Sequence, residues 1–413
     1  MLQKRELGIN VLDAARQRIA WAFDTYSRIY VSFSGGKDSG VMLHLIMEEA
    51  KRRNQKVGVL FIDWEAQFSL TIQFVEQLFS LYADYIDPYW VALPFLTTNA
   101  CSQFEPEWIC WEDGKQDDWV RQLPAQAISN YNYFPFYRYA MTFEEFIVEF
   151  GEWYSRGKLT AAFVGIRSSE SLNRWRAIAW HATKFESIHG TSHVSKSLWN
   201  VYPIYDWKGE DIWTYHGKSG LPHNMLYDRM YQAGVPMHNM RICEPYGDEQ
   251  RRGLWLYHIV EPETWGRVVA RVAGANNGAL YGGESGNVMG NLRVVRPANH
   301  TWESFAMMLL DSMPAKTSDH YKDKIATWMF WYRSRGIEIV DEKPGDTGSK
   351  DVGSWRRICK MLLKNDYWCK MLAFNVNKAD NYMRYKKLME KRRASWGIFP
   401  QFPQVEENND SDQ

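Results

Sequence analysis

Short apolar runs and amphipathic stretches alternate along the first half of the chain. The runs RIYVSF, KVGVLFID, YWVALPF, LTAAFVGI and NVYPIYDW predict strands, three of them at residues 56–63, 89–95 and 200–207. Between them, as in GVMLHLIMEEA and SLTIQFVEQLF, apolar residues recur every three to four positions, which is the period of a helix packed on a core. Strands alternating with helices indicate parallel crossovers. We therefore expect an α/β fold with a doubly wound, mostly parallel sheet.

Beyond about residue 245 this alternation fades and helical periods dominate, which predicts a second, mainly α-helical domain. Its helices are predicted at residues 249–274, 302–312, 318–335, 353–374 and 376–394. The predicted organisation is a nucleotide-binding catalytic domain over residues 1–245, a helical domain over 246–404 and a disordered acidic tail over 405–413.

Residues 96–137 interrupt the first domain with an acidic insert rich in Trp and Tyr. Two interpretations are open: a lid or substrate-selecting loop, or a packed surface excursion. After the insert, Thr142 and Glu145 have the spacing of a capping box, which predicts a helix to about Arg156.

The composition excludes several classes of protein. Lys plus Arg and Asp plus Glu number 49 each, so no overall charge draws the chain to nucleic acid or membrane. The five cysteines are odd in number, widely spread and free of any CxxC, which argues against a disulfide framework, a zinc knuckle or an iron–sulfur motif. The sequence shows no signal region and no membrane-spanning run, so we expect a cytoplasmic protein with no membrane partner.

The stretch YVSFSGGKDSGVMLHL carries the clearest chemistry. Two glycines after a strand let the backbone turn tightly and approach a ligand, and the helix that follows begins with unpaired N–H groups and a positive dipole. Lys37 adds a mobile positive charge. The pattern predicts a phosphate-binding loop, and its candidate residues are Ser32, Ser34, Gly35, Gly36, Lys37, Asp38 and Ser39.

The loop SGGKDS after a strand resembles the signature of the PP-loop ATP pyrophosphatase superfamily. The segment VLFIDWEAQF stands where one branch has Ile-Asp-Thr-Gly, and LPHNMLYDRMYQAG is similar to the end of that branch's domain. A G-x-R-x-x-E-x-x-x-R pattern is matched by Gly165, Arg167, Glu170 and Arg174. The branch holds phosphoadenosine phosphosulfate (PAPS) reductases and the small subunit of sulfate adenylyltransferase. With its long C-terminal domain, the chain most resembles the PAPS-reductase-like proteins called immunoglobulin-binding regulator A.

The resemblance implies an adenine nucleotide alpha hydrolase-like fold and cleavage of ATP between its α and β phosphates. The adenylyl group would pass to an anionic or nucleotide-like acceptor, and pyrophosphate would be released. The loop and Lys37 would hold the pyrophosphate, and Mg²⁺ would bridge the phosphates with Asp38 as its ligand or as a partner through water. The implied catalytic residues are Lys37, Asp38, Arg167 and Arg174; Asp63, Gly165 and Arg167 would bind the nucleotide, and Glu170, Arg174 and Arg241 the substrate.

Several of these residues could instead have a purely structural role. Asp38 could cap the helix start, and Asp63, expected to bind ribose, base or metal, could instead form a turn. Arg167 and Arg174 suit an oxyanion, although spacing does not exclude ordinary ion pairs on a solvated helix face.

Two further functions stay open. The resemblance implies action beside a ParB-like partner, and the basic, aromatic stretch at residues 381–397 could contact nucleic acid, so an ATP-binding regulatory module is one alternative. A thiol-dependent reductase is the other. It is disfavoured because PAPS reductases use a cysteine in a C-terminal Glu-Cys-Gly segment, whereas here no cysteine follows Cys369.

Overall fold

The structure is a computed structural model. It describes residues 8–102, 105–171, 174–175, 178, 190–247, 253–275, 296–313, 315–334, 336, 338–342, 353–363, 366 and 369–372. The chain divides into two compact units, Met1–Val295 and Arg296–Gln413, and each is described by itself.

A six-stranded sheet organises the first unit. The strands of this unit are β1 (Arg28–Ser32), β2 (Val57–Ile62), β3 (Ile86–Val91), β4 (Phe95–Thr98), β5 (Glu107–Cys110), β6 (Thr160–Val164), β7 (Thr191–His193) and β8 (Leu198–Val201). The sheet has the order β3-β2-β1-β6-β8-β7, and β7 pairs antiparallel with β8 while the other pairs are parallel. The predicted fold class, a doubly wound and mostly parallel sheet, is confirmed.

Helices cover both faces of this sheet. They are α1 (Val11–Thr25), α2 (Lys37–Arg53), α3 (Ser69–Leu81), α4 (Phe143–Ser155), α5 (Gly209–Ser219), α6 (Leu226–Gln232), α7 (Trp255–Val260) and α8 (Pro262–Arg271). Because side chains alternate along a strand, Val31 packs with α1, α2 and α3, whereas its neighbour Tyr30 packs on the opposite face with α4. The predicted capping box of Thr142 and Glu145 begins α4.

The strand order reverses at β1. Tyr30 of β1 lies opposite Gly58 of β2 on one side and Ala162 of β6 on the other. Ligands of doubly wound sheets bind beyond the carboxyl ends of the strands at such a reversal. The segments that leave β1 and β6 are therefore the place to look for a site.

Prolines mark several differences between the predicted and observed elements. The strand predicted at residues 200–207 runs over Leu198–Val201 and stops before Pro203, whereas the one predicted at 89–95 runs over Ile86–Val91 and includes Pro88, which is tolerated because β3 is an edge strand. Proline donates no hydrogen bond to a ladder. The helix predicted at 249–274 is likewise divided into α7 and α8, with Pro262 in the first turn of α8.

The 96–137 insert is packed onto the first unit. It contains the antiparallel pair β4–β5, which the sequence did not reveal, and buries Trp108, Trp111 and Phe134 in the core that also contains α4. This arrangement favours the packed excursion over the lid. The same core takes in Leu256 and Val268 of α7 and α8, so the first unit extends beyond the domain boundary expected after residue 245.

The second unit is helical, as predicted. Its described helices are α9 (Trp302–Asp311), α10 (Ala315–Arg333) and α11 (Trp355–Leu363). The Trp302 indole donates to Glu342 Oε2 at 2.9 Å, and the Cys359 thiol donates to the Trp302 carbonyl at 3.0 Å. The predicted helix at 376–394 and the tail lie outside the described residues. No described helix has the length and apolarity that crossing a bilayer requires.

Candidate functional site

The segment Ser34–Ser39 joins β1 to α2 as a tight turn. Gly35 has φ +72°, and a Cβ there would lie 2.8 Å from Thr71 Cγ2, so both conformation and space require glycine. Gly36 is the N-cap of α2, which begins at Lys37 without a side-chain cap. The local sequence therefore places a bare helix start at the carboxyl end of the central strand.

Several backbone N–H groups of this turn are available to donate hydrogen bonds to a ligand. Among the described residues, no acceptor is recorded for the amides of Gly35, Gly36, Asp38 and Ser39. The Ser34 and Ser39 hydroxyls lie 3.0 Å apart, and Ser39 also donates to the Gly36 carbonyl at 3.1 Å. Open amides at a helix N-terminus favour an anion. Ser32, by contrast, belongs to β1 and pairs through its backbone with Leu60 and Val164.

Three side chains from residues 216–227 hold the turn from behind, and we call them the clamp. His216 Nε2 lies 3.1 Å from the Lys37 carbonyl oxygen, and Asn224 donates to the Gly35 carbonyl at 2.9 Å. The Tyr227 hydroxyl accepts from the Lys37 amide at 3.1 Å. Each clamp residue is buried. The turn is thus held in shape by tertiary contacts. Two of them come from the segment LPHNMLYDRMYQAG, whose residues had no role assigned from the sequence.

A line of alternating charges runs from the turn to the segment after β6, and we call it the charge chain. Asp38 is paired with Lys37, with Nζ 3.0 Å from Oδ2, and with Arg167, with Nε 2.5 Å from Oδ1. Arg167 NH2 lies 3.3 Å from Glu170 Oε1, and Glu170 also pairs with Arg174. The structure therefore brings together all four predicted catalytic residues.

Two more predicted residues join this site. Arg241 donates to the Glu170 carbonyl at 3.3 Å. A Cβ at Gly165 would lie 3.1 Å from Ser39 Cα, so glycine there lets β6 approach the start of α2 closely. The cations Lys37, Arg167, Arg174 and Arg241 outnumber the carboxylates Asp38 and Glu170 by four to two. This excess suits a ligand with several negative charges.

Asp63 occupies a different environment. Its side chain is fully buried, its Oδ2 accepts from the Trp90 indole at 2.9 Å, and its Oδ1 pairs with Arg121. Oδ1 also accepts from the amide of Glu65 at 3.0 Å, which is the hydrogen bond of an Asx turn. These contacts support the turn-forming alternative, because both oxygens of the buried Asp63 already have partners within the protein.

The sequence of this site has known relatives. The phosphoadenosine phosphosulfate reductase domain family matches residues 28–233, and a domain family of unknown function matches residues 234–346. The uncharacterized protein YbdN of Escherichia coli K12 is 49% identical over 401 residues, which cover 96% of this chain and 98% of YbdN. The chain belongs to the PP-loop superfamily, in its PAPS reductase branch.

Two proteins of lower similarity are a reductase and a solved structure. Adenosine 5'-phosphosulfate reductase of Halalkalibacterium halodurans is 22% identical over 263 residues, which cover 62% of this chain and 95% of the reductase. The crystal structure of FMN adenylyltransferase from Candida glabrata aligns with a TM-score of 0.31 and 16% identity, over 52% of this chain and 57% of that one. The latter likeness is too low to carry an argument about function.

Three cysteines of this PP-loop protein are buried away from solvent. Burial raises the pKa of the Cys110 thiol, that of Cys369, and that of Cys359 to about 12. Thiols of raised pKa are poor nucleophiles at neutral pH. Cys101 and Cys243 are partly buried. Cys243 lies near enough to Arg174 for their charges to interact.

A metal ion would find few ligands at this site. Within the described residues, no group of three or more His, Cys, Asp or Glu side chains is placed to hold one. At the turn, Asp38 offers a carboxylate whose two oxygens are paired with Arg167 and Lys37. Mg²⁺ that arrives with nucleotide phosphates needs only one or two carboxylates. Asp38 therefore fits such an ion once Lys37 has moved to the phosphates.

Proposed function

We propose that this protein cleaves ATP between its α and β phosphates, transfers the adenylyl group to an anionic or nucleotide-like acceptor, and releases pyrophosphate. One observation carries the proposal: the open amides of the Ser34–Ser39 turn lie at one end of a charge chain in which cations outnumber carboxylates. Membership of the PP-loop superfamily supports it.

The turn would hold the departing pyrophosphate. Amides at the start of α2 present partial positive charge where negative charge accumulates on the leaving group. Lys37 is only 8% exposed, and its ammonium also donates to the Met240 carbonyl at 3.2 Å. When phosphates arrive, the ammonium would exchange Asp38 for a phosphate oxygen. The exchange releases Asp38 Oδ2 for Mg²⁺, which would supply charge neutralisation on the phosphates.

The arginines of the charge chain would hold the acceptor. Arg167 and Arg174 present planar forks that suit a phosphate or carboxylate, and Glu170 orients both through its two oxygens. Arg241, on the segment beside Glu170, would extend the site towards the acceptor. Their common position next to the turn supports in-line transfer, in which the α-phosphorus lies between the pyrophosphate on the turn and an acceptor held by the arginines.

The proposal is tested with ATP labelled at the α-phosphate, Mg²⁺ and a panel of anionic acceptors, with and without a ParB-like partner. Labelled adenylyl product or AMP, formed together with pyrophosphate, is the expected result. Phosphate release without pyrophosphate would contradict the proposal, since it means cleavage at the γ-phosphate.

A second candidate function is a thiol-dependent reductase, because two distant relatives have the name adenosine 5'-phosphosulfate reductase. The observation that favours it is the charge interaction between Cys243 and Arg174, because a guanidinium stabilises a thiolate. The Cys243→Ser variant separates the two functions. Under the adenylyl transfer proposal the variant keeps product formation within about twofold, whereas a reductase would lose its activity.

A further inference from the structure

We propose that the Tyr227 hydroxyl donates a hydrogen bond to a phosphate oxygen bound on the Ser34–Ser39 turn. This inference rests on the proposed function and deepens it. It adds a side-chain donor from α6 to a phosphate site otherwise made of backbone amides and Lys37. The ligand group is a phosphate of a nucleotide or of pyrophosphate.

Tyr227 reaches the turn from its inner side. The residue is 2% exposed, and its ring packs edge-on against Trp213 at 5.6 Å between centroids. The Lys37 ammonium lies 5.3 Å from the centre of the Tyr227 ring. The hydroxyl oxygen would lie 3.4 Å from a Cβ at Gly36. The phenol is therefore fixed beside the N-cap of α2, where the open amides begin.

The hydrogen bonds of this hydroxyl leave its proton unused. The oxygen accepts from the Lys37 amide at 3.1 Å, and this bond does not use the hydroxyl proton. Burial raises the pKa of Tyr227, so the phenol keeps its proton at any physiological pH. Within the described part of the chain, no acceptor for that proton is recorded. A buried O–H without an acceptor is costly, and an anion on the turn would supply one.

Tyr154 provides an internal comparison. Its hydroxyl also accepts from a backbone amide at 3.1 Å, that of Gly58, and the residue is 5% exposed. The Tyr154 proton, however, goes to the Ile29 carbonyl at 2.8 Å. Two buried tyrosines thus make the same first hydrogen bond and differ in the second. The difference places Tyr227, and not Tyr154, in contact with the ligand.

The test measures the affinity of pyrophosphate, ATP and AMP by calorimetry for the wild-type protein, Tyr227→Phe and Tyr154→Phe. Tyr227→Phe should weaken pyrophosphate and ATP binding about tenfold, because a hydrogen bond to a charged group is lost. Tyr154→Phe should lower the melting temperature and leave all three affinities unchanged. AMP, which lacks the outer phosphates, should bind equally to all three proteins.

Two results overturn the inference, and they are distinguishable. Equal pyrophosphate affinity in Tyr227→Phe and wild type removes the proposed contact while the proposed function stands. Absence of pyrophosphate and ATP binding in the wild type removes both. Should Tyr227→Phe fail to fold, 3-fluorotyrosine installed at position 227 keeps the hydroxyl. Its ¹⁹F signal should shift when pyrophosphate is added, the same probe at position 154 should not, and an unmoved signal at 227 contradicts the contact.

Discussion

Two arginine–carboxylate clusters in the first unit use the same chemistry for different purposes. In the charge chain of Lys37, Asp38, Arg167, Glu170 and Arg174, cations exceed carboxylates beside open backbone amides. In what we call the buried network, Asp63 and Glu65 pair with Arg121 and Arg271. Glu112, which also lies near Arg271, pairs with Lys115, so the charges balance at three to three. Excess charge next to unsatisfied donors suits a ligand, whereas balanced charge suits a permanent structure.

The buried network shows what a permanent structure looks like. Glu65 is fully buried, with φ +63°, and it accepts from the amides of Trp111 at 2.7 Å and Val120 at 3.1 Å. Arg271 adds two hydrogen bonds to Glu65, at 2.7 and 3.0 Å, and donates to the Ile109 carbonyl at 2.7 Å. These bonds fasten the 96–137 insert and α8 to the end of β2. The network explains why the insert packs and does not form a lid.

The largest effect that separates the clusters is expected from removing one carboxylate in each. Glu65→Ala leaves Arg271 buried with only the Glu112 carboxylate, 3.9 Å away, as its partner, which should lower the free energy of unfolding by about 3 kcal/mol or more. Glu170→Ala leaves Arg167 paired with Asp38 and Arg174 about half exposed, so it should cost less, about 1–2 kcal/mol. Urea denaturation measures both variants. Similar losses in the two would remove the distinction between the clusters.

The next largest effect is expected on turnover, from replacing one arginine in each cluster by lysine, which keeps the charge. Arg167→Lys retains the positive charge and loses the planar fork, so product formation should fall by about 10²-fold while the melting temperature changes little. Arg271→Lys should do the reverse: lower the melting temperature and leave turnover per folded molecule unchanged. Initial rates with labelled ATP and thermal melts compare the pair. An Arg271→Lys protein that is folded but inactive would contradict the structural role of the buried network.

A smaller effect on stability is expected from lowering the pH, which acts on α2, the helix that follows the Ser34–Ser39 turn. His44 of α2 lies 2.8 Å through Nε2 from the carbonyl of Pro222, next to the clamp, and burial lowers its pKa to about 4. The neutral form is favoured in the folded protein, so this contribution to stability is complete above pH 6.5 and is lost as the pH falls towards 4. Between pH 7 and pH 5 we expect a loss of about 2 kcal/mol.

Urea denaturation at pH 7 and pH 5 measures that loss. The His44→Gln variant is the control, because glutamine does not titrate and should show a shallower dependence on pH. An equal slope in the variant and the wild type would assign the acid sensitivity to other groups.

The fold was predictable because its signals are local. Continuous apolar runs placed β1 and β2 within a residue or two, and the helical period placed α2 and α3. The charge chain was predictable in part, since Lys37 and Asp38 belong to one motif and Arg167, Glu170 and Arg174 to another. That both motifs meet follows from the pairing of β1 with β6.

The remaining features depend on distant contacts that no period encodes. Asp63 ends a strand just as a ligand-binding aspartate does, and only Trp90 and Arg121 show that its oxygens are occupied. Asn224 and Tyr227 of the clamp lie in the family-like segment LPHNMLYDRMYQAG, but the sequence assigned these residues no role. Their role arises from packing against a turn about 190 residues earlier, as for the Tyr227–Lys37 pair. Tertiary burial, in both cases, decides what a polar residue does.

The most direct test of the whole account compares two lysines of α2. Lys37→Met removes the ammonium at the turn, whereas Lys51→Met removes an ammonium that lies 4.8 Å from the Tyr82 ring at the far end of the same helix. With α-labelled ATP and Mg²⁺, Lys37→Met should lose ATP affinity and at least about 10²-fold of pyrophosphate release, and Lys51→Met should keep both. Unchanged affinity and release in Lys37→Met would contradict the claim that this turn binds the phosphates of ATP.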